Sequence, residues 1–251
     1  MRAPWTMALL LAGITLVVIA PAPVVAEDGA TIVALEIALG RECNARVQYL
    51  AFAERAEREG LGPVAGLFRA VARAESVHAV NHEIVIRQLG GRTAWTREAF
   101  VVRSTAENLR AAVVTELGER AQVYPRFAGY ARAECLYEAL ATMNYAGGAE
   151  ATHARLFSAA LAALELAAAP AATSASTTVL ASTDGAQPPF AGWLESSPAF
   201  HICSGCGSVF TSPVRRCPNC GTGGSRFWTL SGPPAVPPVL ATVSDPVTPT
   251  R

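Results

Sequence analysis

Two stretches set a glutamate and a histidine three residues apart: Glu75 and His78 in "RAESVHA", Glu150 and His153 in "GAEATHA". The chain has four histidines, and these boxes use two of them. On a helix, residues three apart share a face, so each box aims a carboxylate and an imidazole at one spot. One such box alone reads as an ordinary surface pair. Spacing lifts the two above that reading. Glu42 lies 33 residues before Glu75, and Glu116 lies 34 before Glu150. The first interval has its midpoint at residues 58 to 59, where "EGLGP" begins a turn built from two glycines and a proline. Two helices of about 16 residues, rising about 1.5 Å per residue, return Glu42 to the level of Glu75. The second interval folds the same way about residue 133. The chain reads as one hairpin used twice: lone Glu, turn, Glu-x-x-His. Carboxylates gathered inside a bundle repel one another and lose hydration unless cations neutralise them. Mixed oxygen and imidazole ligands suit iron or manganese.

A second set of ligands lies near the C-terminus. Cys203 and Cys206 in "CSGCG", and Cys217 and Cys220 in "CPNCG", form two Cys-x-x-Cys knuckles with ten residues between them. Glycine after each knuckle admits a tight turn whose amides point at sulfur. Four thiolates in tetrahedral array bind zinc or iron, and spacing alone favours a structural zinc ribbon. The other two cysteines, Cys43 and Cys135, do not suit a disulfide. Cys43 sits beside Glu42 and Cys135 lies 19 residues beyond Glu116, which separates them by roughly 28 Å along a bundle. Both read as small buried packing residues.

Helices must position the first set. From Thr31 to Leu89 apolar residues recur at spacings of three and four, first Val33, Ile37, Val47 and Leu50, then Val64, Leu67, Phe68 and Val71. Gly90-Gly91 ends the second helix. "STAE", Ser104 to Glu107, has the form of a capping box opening a third helix to about Arg132. A fourth runs from about Tyr137 to Leu166, with Gly147-Gly148 as a weak point just before Glu150. His82, one turn after His78, reads as a solvated or core-edge histidine. The expected fold class is an all-α four-helix bundle, up-down with a crossover, over residues 27–166, with a small four-cysteine metal module over 198–230. Residues 167–197, rich in Ala, Ser, Thr and Pro, read as a flexible linker, and 231–251 as a proline-rich disordered tail.

The first 26 residues, with an apolar run from Met7 to Ala20 and small residues ending at Ala26, read as a secretory signal cleaved after Ala26. The run is 14 residues, short of the roughly 20 that a span needs. The expectation is an exported, periplasmic or extracytoplasmic protein, membrane-attached only if the signal stays uncleaved. Twenty acidic residues balance 20 basic ones, all arginine, so the chain advertises no nucleic-acid partner.

With these motifs in view, "GRECNARVQYLAFAERAEREGLGPVAGLFRAVARAESVHA" and "TAENLRAAVVTELGERAQVYPRFAGYA" resemble rubrerythrin, a ferritin-like bundle followed by a rubredoxin-like module. The resemblance implies a two-iron site held by Glu42, Glu75, His78, Glu116, Glu119, Glu150 and His153, with one iron moving between His78 and Glu119 during the redox cycle. It implies that Tyr49 and Tyr124 hydrogen-bond ligand carboxylates, and it turns the preference at Cys203, Cys206, Cys217 and Cys220 from zinc to iron. The function it implies is a non-haem diiron peroxidase that reduces hydrogen peroxide to water. Electrons would come from an unidentified redox donor through the cysteine-ligated iron, in a homodimer where that iron approaches the partner's pair. The alternative is a ferritin-like iron- or manganese-handling ferroxidase without efficient peroxide turnover.

Overall fold

A computed structural model of the chain describes residues 29–168 and 198–231. The expected signal, most of the linker and the tail lie outside the described residues. Five α-helices form four columns. α1 (Ala30–Arg58) and α2 (Gly62–Gln88) make the first hairpin. Its turn holds Gly60 at φ 75°, and Pro63 lies in the first turn of α2, where a missing N–H costs nothing. The third column begins as α3 (Thr105–Gly118), passes through a π-helical turn at Glu119–Val123, and continues as α4 (Tyr124–Ala133). The capping box is present: Ser104 accepts from the Glu107 N–H and the Glu107 carboxylate accepts from the Ser104 N–H. α5 (Tyr137–Ala168) is the fourth column. Residues 89–104 cross between the two hairpins, tied to α1 where Asn44 bonds the carbonyl of Thr96 and the N–H of Glu98.

The buried side chains form apolar layers above and below a polar one. One layer gathers Tyr49, Phe52, Phe68, Leu109 and Phe157; the other gathers Leu35, Leu39, Ile86, Phe127 and Met143. The second helix buries the face its spacing predicts, Val64, Leu67, Phe68 and Val71. The first does not. Val33, Ile37 and Leu50 are exposed, and α1 instead buries Ala34, Leu35, Ala38, Leu39, Ala45, Tyr49 and Phe52. Small alanines let the helices approach closely, so the seam follows Ala and aromatic positions and leaves β-branched residues outside. Cys135 also departs from expectation: it is exposed, at φ 56°, in the turn between α4 and α5, while Cys43 is half-buried. None of the described helices is long and apolar enough to cross a membrane.

The cysteine module is a three-stranded antiparallel sheet in the order β2-β1-β3, with β1 Ala199–Cys203, β2 Val209–Phe210 and β3 Phe227–Ser231. Gly207 and Gly221, at φ 77° and 76°, close the two knuckles. Phe200, Ile202 and Val209 are fully buried in the same apolar cluster as Tyr49 and Phe68 of the bundle. The sheet therefore completes the bundle's core.

Candidate metal centre

Glu42 on α1, Glu75 and His78 on α2, Glu116 on α3, and Glu150 and His153 on α5 all project into the polar layer, each no more than 1% exposed. Two overlapping groups of four ligands result: Glu42, Glu75, His78 and Glu150, and Glu75, Glu116, Glu150 and His153. Glu75 and Glu150 belong to both. His78 Nδ1 lies 2.8 Å from Glu75, 3.1 Å from Glu150 and 3.5 Å from Glu42. His153 Nδ1 lies 2.8 Å from Glu150, 3.3 Å from Glu75 and 3.4 Å from Glu116.

These contacts fit bound cations better than a hydrogen-bond network. Both Nδ1 atoms, both oxygens of Glu75 and of Glu150, and one oxygen each of Glu42 and Glu116 have no aligned hydrogen-bond partner although all are buried. So many unmatched polar atoms would be costly unless they share ions at the points where they converge. The imidazoles are prepared for this. His78 Nε2 donates to the Cys206 carbonyl at 2.9 Å, and His153 Nε2 donates to the Gly207 carbonyl at 3.1 Å. A carbonyl can only accept, so each neutral ring keeps its proton on Nε2 and turns the Nδ1 lone pair toward the carboxylates.

Without metal the same groups store protons. Burial opposes charge on both imidazoles, but Glu150, Glu42 and Glu75 outweigh it at His78, and Glu75, Glu150 and Glu116 at His153, holding both well above the usual range. Burial, reinforced by Glu150, pushes Glu116 up to about 8. Ions bind the deprotonated forms, so loading the apoprotein at neutral pH is expected to release about one proton or more per ion, with affinity rising as pH rises. Anaerobic titration with Mn²⁺ in weakly buffered indicator dye measures this; no acidification would contradict it.

Both tyrosines are buried beside these carboxylates, Tyr49 donating to Glu116 and Tyr124 to Glu42. Glu119 stands apart from the two groups of four. Its carboxylate takes Arg41 Nε at 2.9 Å and Nη2 at 2.6 Å, beside a cavity of about 190 Å³ also lined by Asn44, Gln48, Phe100 and Thr115. Arg41 was not legible as a site residue, because an arginine in an arginine-rich helix carries no signal of its partner. The π turn that starts at Glu119 is likewise invisible in the sequence; such turns recur at functional sites.

Gly147 and Gly148 serve contacts that the sequence cannot show. A Cβ on Gly147 would lie 2.8 Å from Tyr124 Cβ, so this glycine lets Tyr124 lie flat against α5. A Cβ on Gly148 would strike the Asn219 amide of the second knuckle, which donates to the Tyr145 carbonyl at 2.8 Å. α5 runs through both without a break.

Cys203, Cys206, Cys217 and Cys220 form one four-sulfur group. Hydrogen bonding from Cys206, with the N–H groups of Gly205 and Cys206, draws the Cys203 thiol down to about 4, while the Cys203 sulfur and burial hold Cys206, and burial holds Cys217, above the usual thiol range. A metal binds thiolates, so loading displaces the protons that Cys206 and Cys217 keep. The knuckles rest on the bundle through further bonds: Asn81 to the Gly205 carbonyl at 3.0 Å, and the Val209 N–H to Thr152 at 3.0 Å. Arg73 stacks on Trp228 at 4.2 Å.

The rubrerythrin family profile matches residues 34–161, which spans all six converging ligands. The chain belongs to the rubrerythrin family. It is 36% identical to Rubrerythrin-2 of Clostridium acetobutylicum over 124 residues, covering 49% of this chain and 67% of that one. It is 37% identical to rubrerythrin of Porphyromonas gingivalis over 133 residues (52% and 66%) and 32% identical to nigerythrin of Nitratidesulfovibrio vulgaris over 133 residues (53% and 66%). The chain thus spans about two thirds of each curated relative. Among solved structures, nigerythrin in its fully reduced, all-ferrous state shares the fold, with TM-score 0.63 and 24% identity over 85% of this chain and 91% of that one. As a rubrerythrin-family protein the chain carries a diiron site in its bundle, and the four cysteines of its module form a rubredoxin-like metal site.

Proposed function

We propose that this rubrerythrin-family protein is a peroxidase that reduces hydrogen peroxide to water with electrons passed through the four-cysteine site. One observation carries the reading: each metal-facing imidazole is hydrogen-bonded, through its other nitrogen, to the backbone carbonyl of a first-knuckle residue, Cys206 or Gly207. That links sulfur ligand to nitrogen ligand by a few bonds and one hydrogen bond on each side. A protein that only sequesters metal has no use for such a path.

Reduction of one peroxide consumes two electrons and two protons and yields two waters. The iron pair, when bound, supplies the two electrons and polarises the O–O bond. Glu75 and Glu150 hold the two positions together, because both belong to both ligand groups. Tyr49 and Tyr124 fix the outer carboxylates, Glu116 and Glu42, by donating to them. The cavity beside Arg41 and Glu119 offers a small oxidant a way to the edge of the site. Its volume admits several waters, or a peroxide among them. A separate redox donor restores the four-cysteine site, and the reading includes export of the chain. A homodimer that exchanges modules between chains would use these same contacts.

The test is anaerobic. The iron-loaded protein is reduced, given one equivalent of peroxide, and followed by its ferric-thiolate absorbance. Colour is expected to return rapidly, and faster than with dioxygen. A return no faster than with dioxygen would favour the ferroxidase reading instead.

A further inference from the structure

His82 is fully buried but is not among the converging ligands. Its Nδ1 lies 3.1 Å from Thr142 Oγ1 on α5, and its Nε2 lies 3.2 Å from the Tyr124 hydroxyl on α4. The His82 and Tyr124 rings stack at 28° with centroids 5.9 Å apart. Tyr124 in turn donates to Glu42 on α1. Thr142, His82, Tyr124 and Glu42 thus form one hydrogen-bonded chain that visits all four columns of the bundle.

The proton count along this chain allows one arrangement. Glu42 accepts, so the single phenolic proton of Tyr124 points at it. The phenol oxygen can then only accept from His82, which places the ring proton on Nε2. Nδ1 is left with its lone pair and accepts from the Thr142 hydroxyl. A neutral ring is required, and burial supplies it by depressing His82 to about 4. The other tyrosine differs. Tyr49 donates to Glu116, but its ring lies among Phe52, Phe68 and Phe157, and among the described residues no donor stands behind its hydroxyl. Gly147 reinforces the asymmetry, since only a residue without a side chain lets Tyr124 approach α5 so closely.

We propose that His82 is a positioning residue for the Glu42 side of the metal centre: its Nε2 proton, donated to the Tyr124 oxygen, commits the Tyr124 hydroxyl to Glu42 and makes the two metal positions inequivalent. The proposal rests on the metal centre and not on peroxide as oxidant, so failure of the peroxide test leaves it standing.

The test titrates the full-length apoprotein with Mn²⁺ by calorimetry. His82→Leu removes the donor to Tyr124. Affinity at the position that includes Glu42 and His78 is expected to fall about tenfold, as for other lost partners of metal ligands, while the position that includes Glu116 and His153 stays within about twofold. His82→Gln, whose amide nitrogen can reach the place of Nε2, is expected to recover most of the loss. In a Tyr124→Phe background, His82→Leu should cost nothing further, because its effect passes through the tyrosine hydroxyl. Equal weakening of both positions, a His82→Gln protein as weak as His82→Leu, or additive losses with Tyr124→Phe would overturn the proposal. One readout needs no variant and no metal: long-range ¹⁵N–¹H spectra of the apoprotein should show His82 as a single Nε2–H tautomer. The Nδ1–H tautomer would overturn the proposal even if a variant failed to fold.

Discussion

Glu150→Ala is expected to abolish iron binding at both bundle positions while leaving the cysteine-ligated iron in place. Glu150 belongs to both groups of four ligands, with its oxygens 3.1 Å from His78 Nδ1 and 2.8 Å from His153 Nδ1. Removing one carboxylate therefore takes a ligand from each ion at once. Loss of even an outer partner of a metal ligand costs about 10- to 100-fold in affinity, so a shared ligand should cost more than about 100-fold at each position. The control is Glu42→Ala, which touches one group only and should lose one ion of the two. Iron analysis after anaerobic loading separates these results, since the ferric-thiolate absorbance reports the four-cysteine site independently. Stability of the apoprotein should fall as well. Glu150 lies against both buried imidazoles, and removing one partner of a buried pair leaves charge uncompensated, at a cost of about 3 to 5 kcal/mol. Apo Glu150→Ala is expected to melt below apo wild type. An unchanged melting temperature would show that these pairs do not stabilise the bundle without metal.

The second large effect concerns how the module seats. Gly148→Ala has two consequences of opposite sign. Within α5, replacing glycine by alanine favours the helix by about 1 kcal/mol. Across the interface, the new Cβ occupies the place of the Asn219 amide, which is pinned by its bonds to the Tyr145 carbonyl and to Ser208. The module should loosen from the bundle, and because Phe200, Ile202 and Val209 share the bundle's core, the helical gain is not expected to appear as a higher melting temperature. On the proposed function, this is expected to slow electron passage from the four-cysteine site to the bundle at least tenfold, because the His78 and His153 bonds to the knuckle carbonyls depend on the seat. Hydrogen exchange at Val209, whose N–H donates to Thr152 on α5, measures the loosening directly. Gly148→Ala combined with Asn219→Ala removes the collision and should restore part of the rate. A Gly148→Ala protein with wild-type exchange and wild-type electron passage would show that Asn219 does not seat the module.

Much of this centre was readable from residue order alone. Six ligands stood out because helical periodicity is local: a Glu-x-x-His box lands on one face whatever surrounds it, and the interval of 33 or 34 residues encodes a hairpin of fixed rise. The paired knuckles with their glycines, and the capping box at Ser104, are equally local and appear as expected. What the tertiary structure alone decided are contacts between columns. Residue order cannot show that Arg41 takes the Glu119 carboxylate, that His82 is locked between Thr142 and Tyr124, or that exposed Val33 and Ile37 yield the core to alanines. Each depends on which helix faces come together and how closely. Gly147 and Gly148 make the point most sharply. Judged by helix propensity they are a defect, a local property read correctly, but two neighbours far away in the chain, Tyr124 and Asn219, fill the space they leave. Local physics placed the ligands; packing between distant segments determined what holds them in position and what is joined to them.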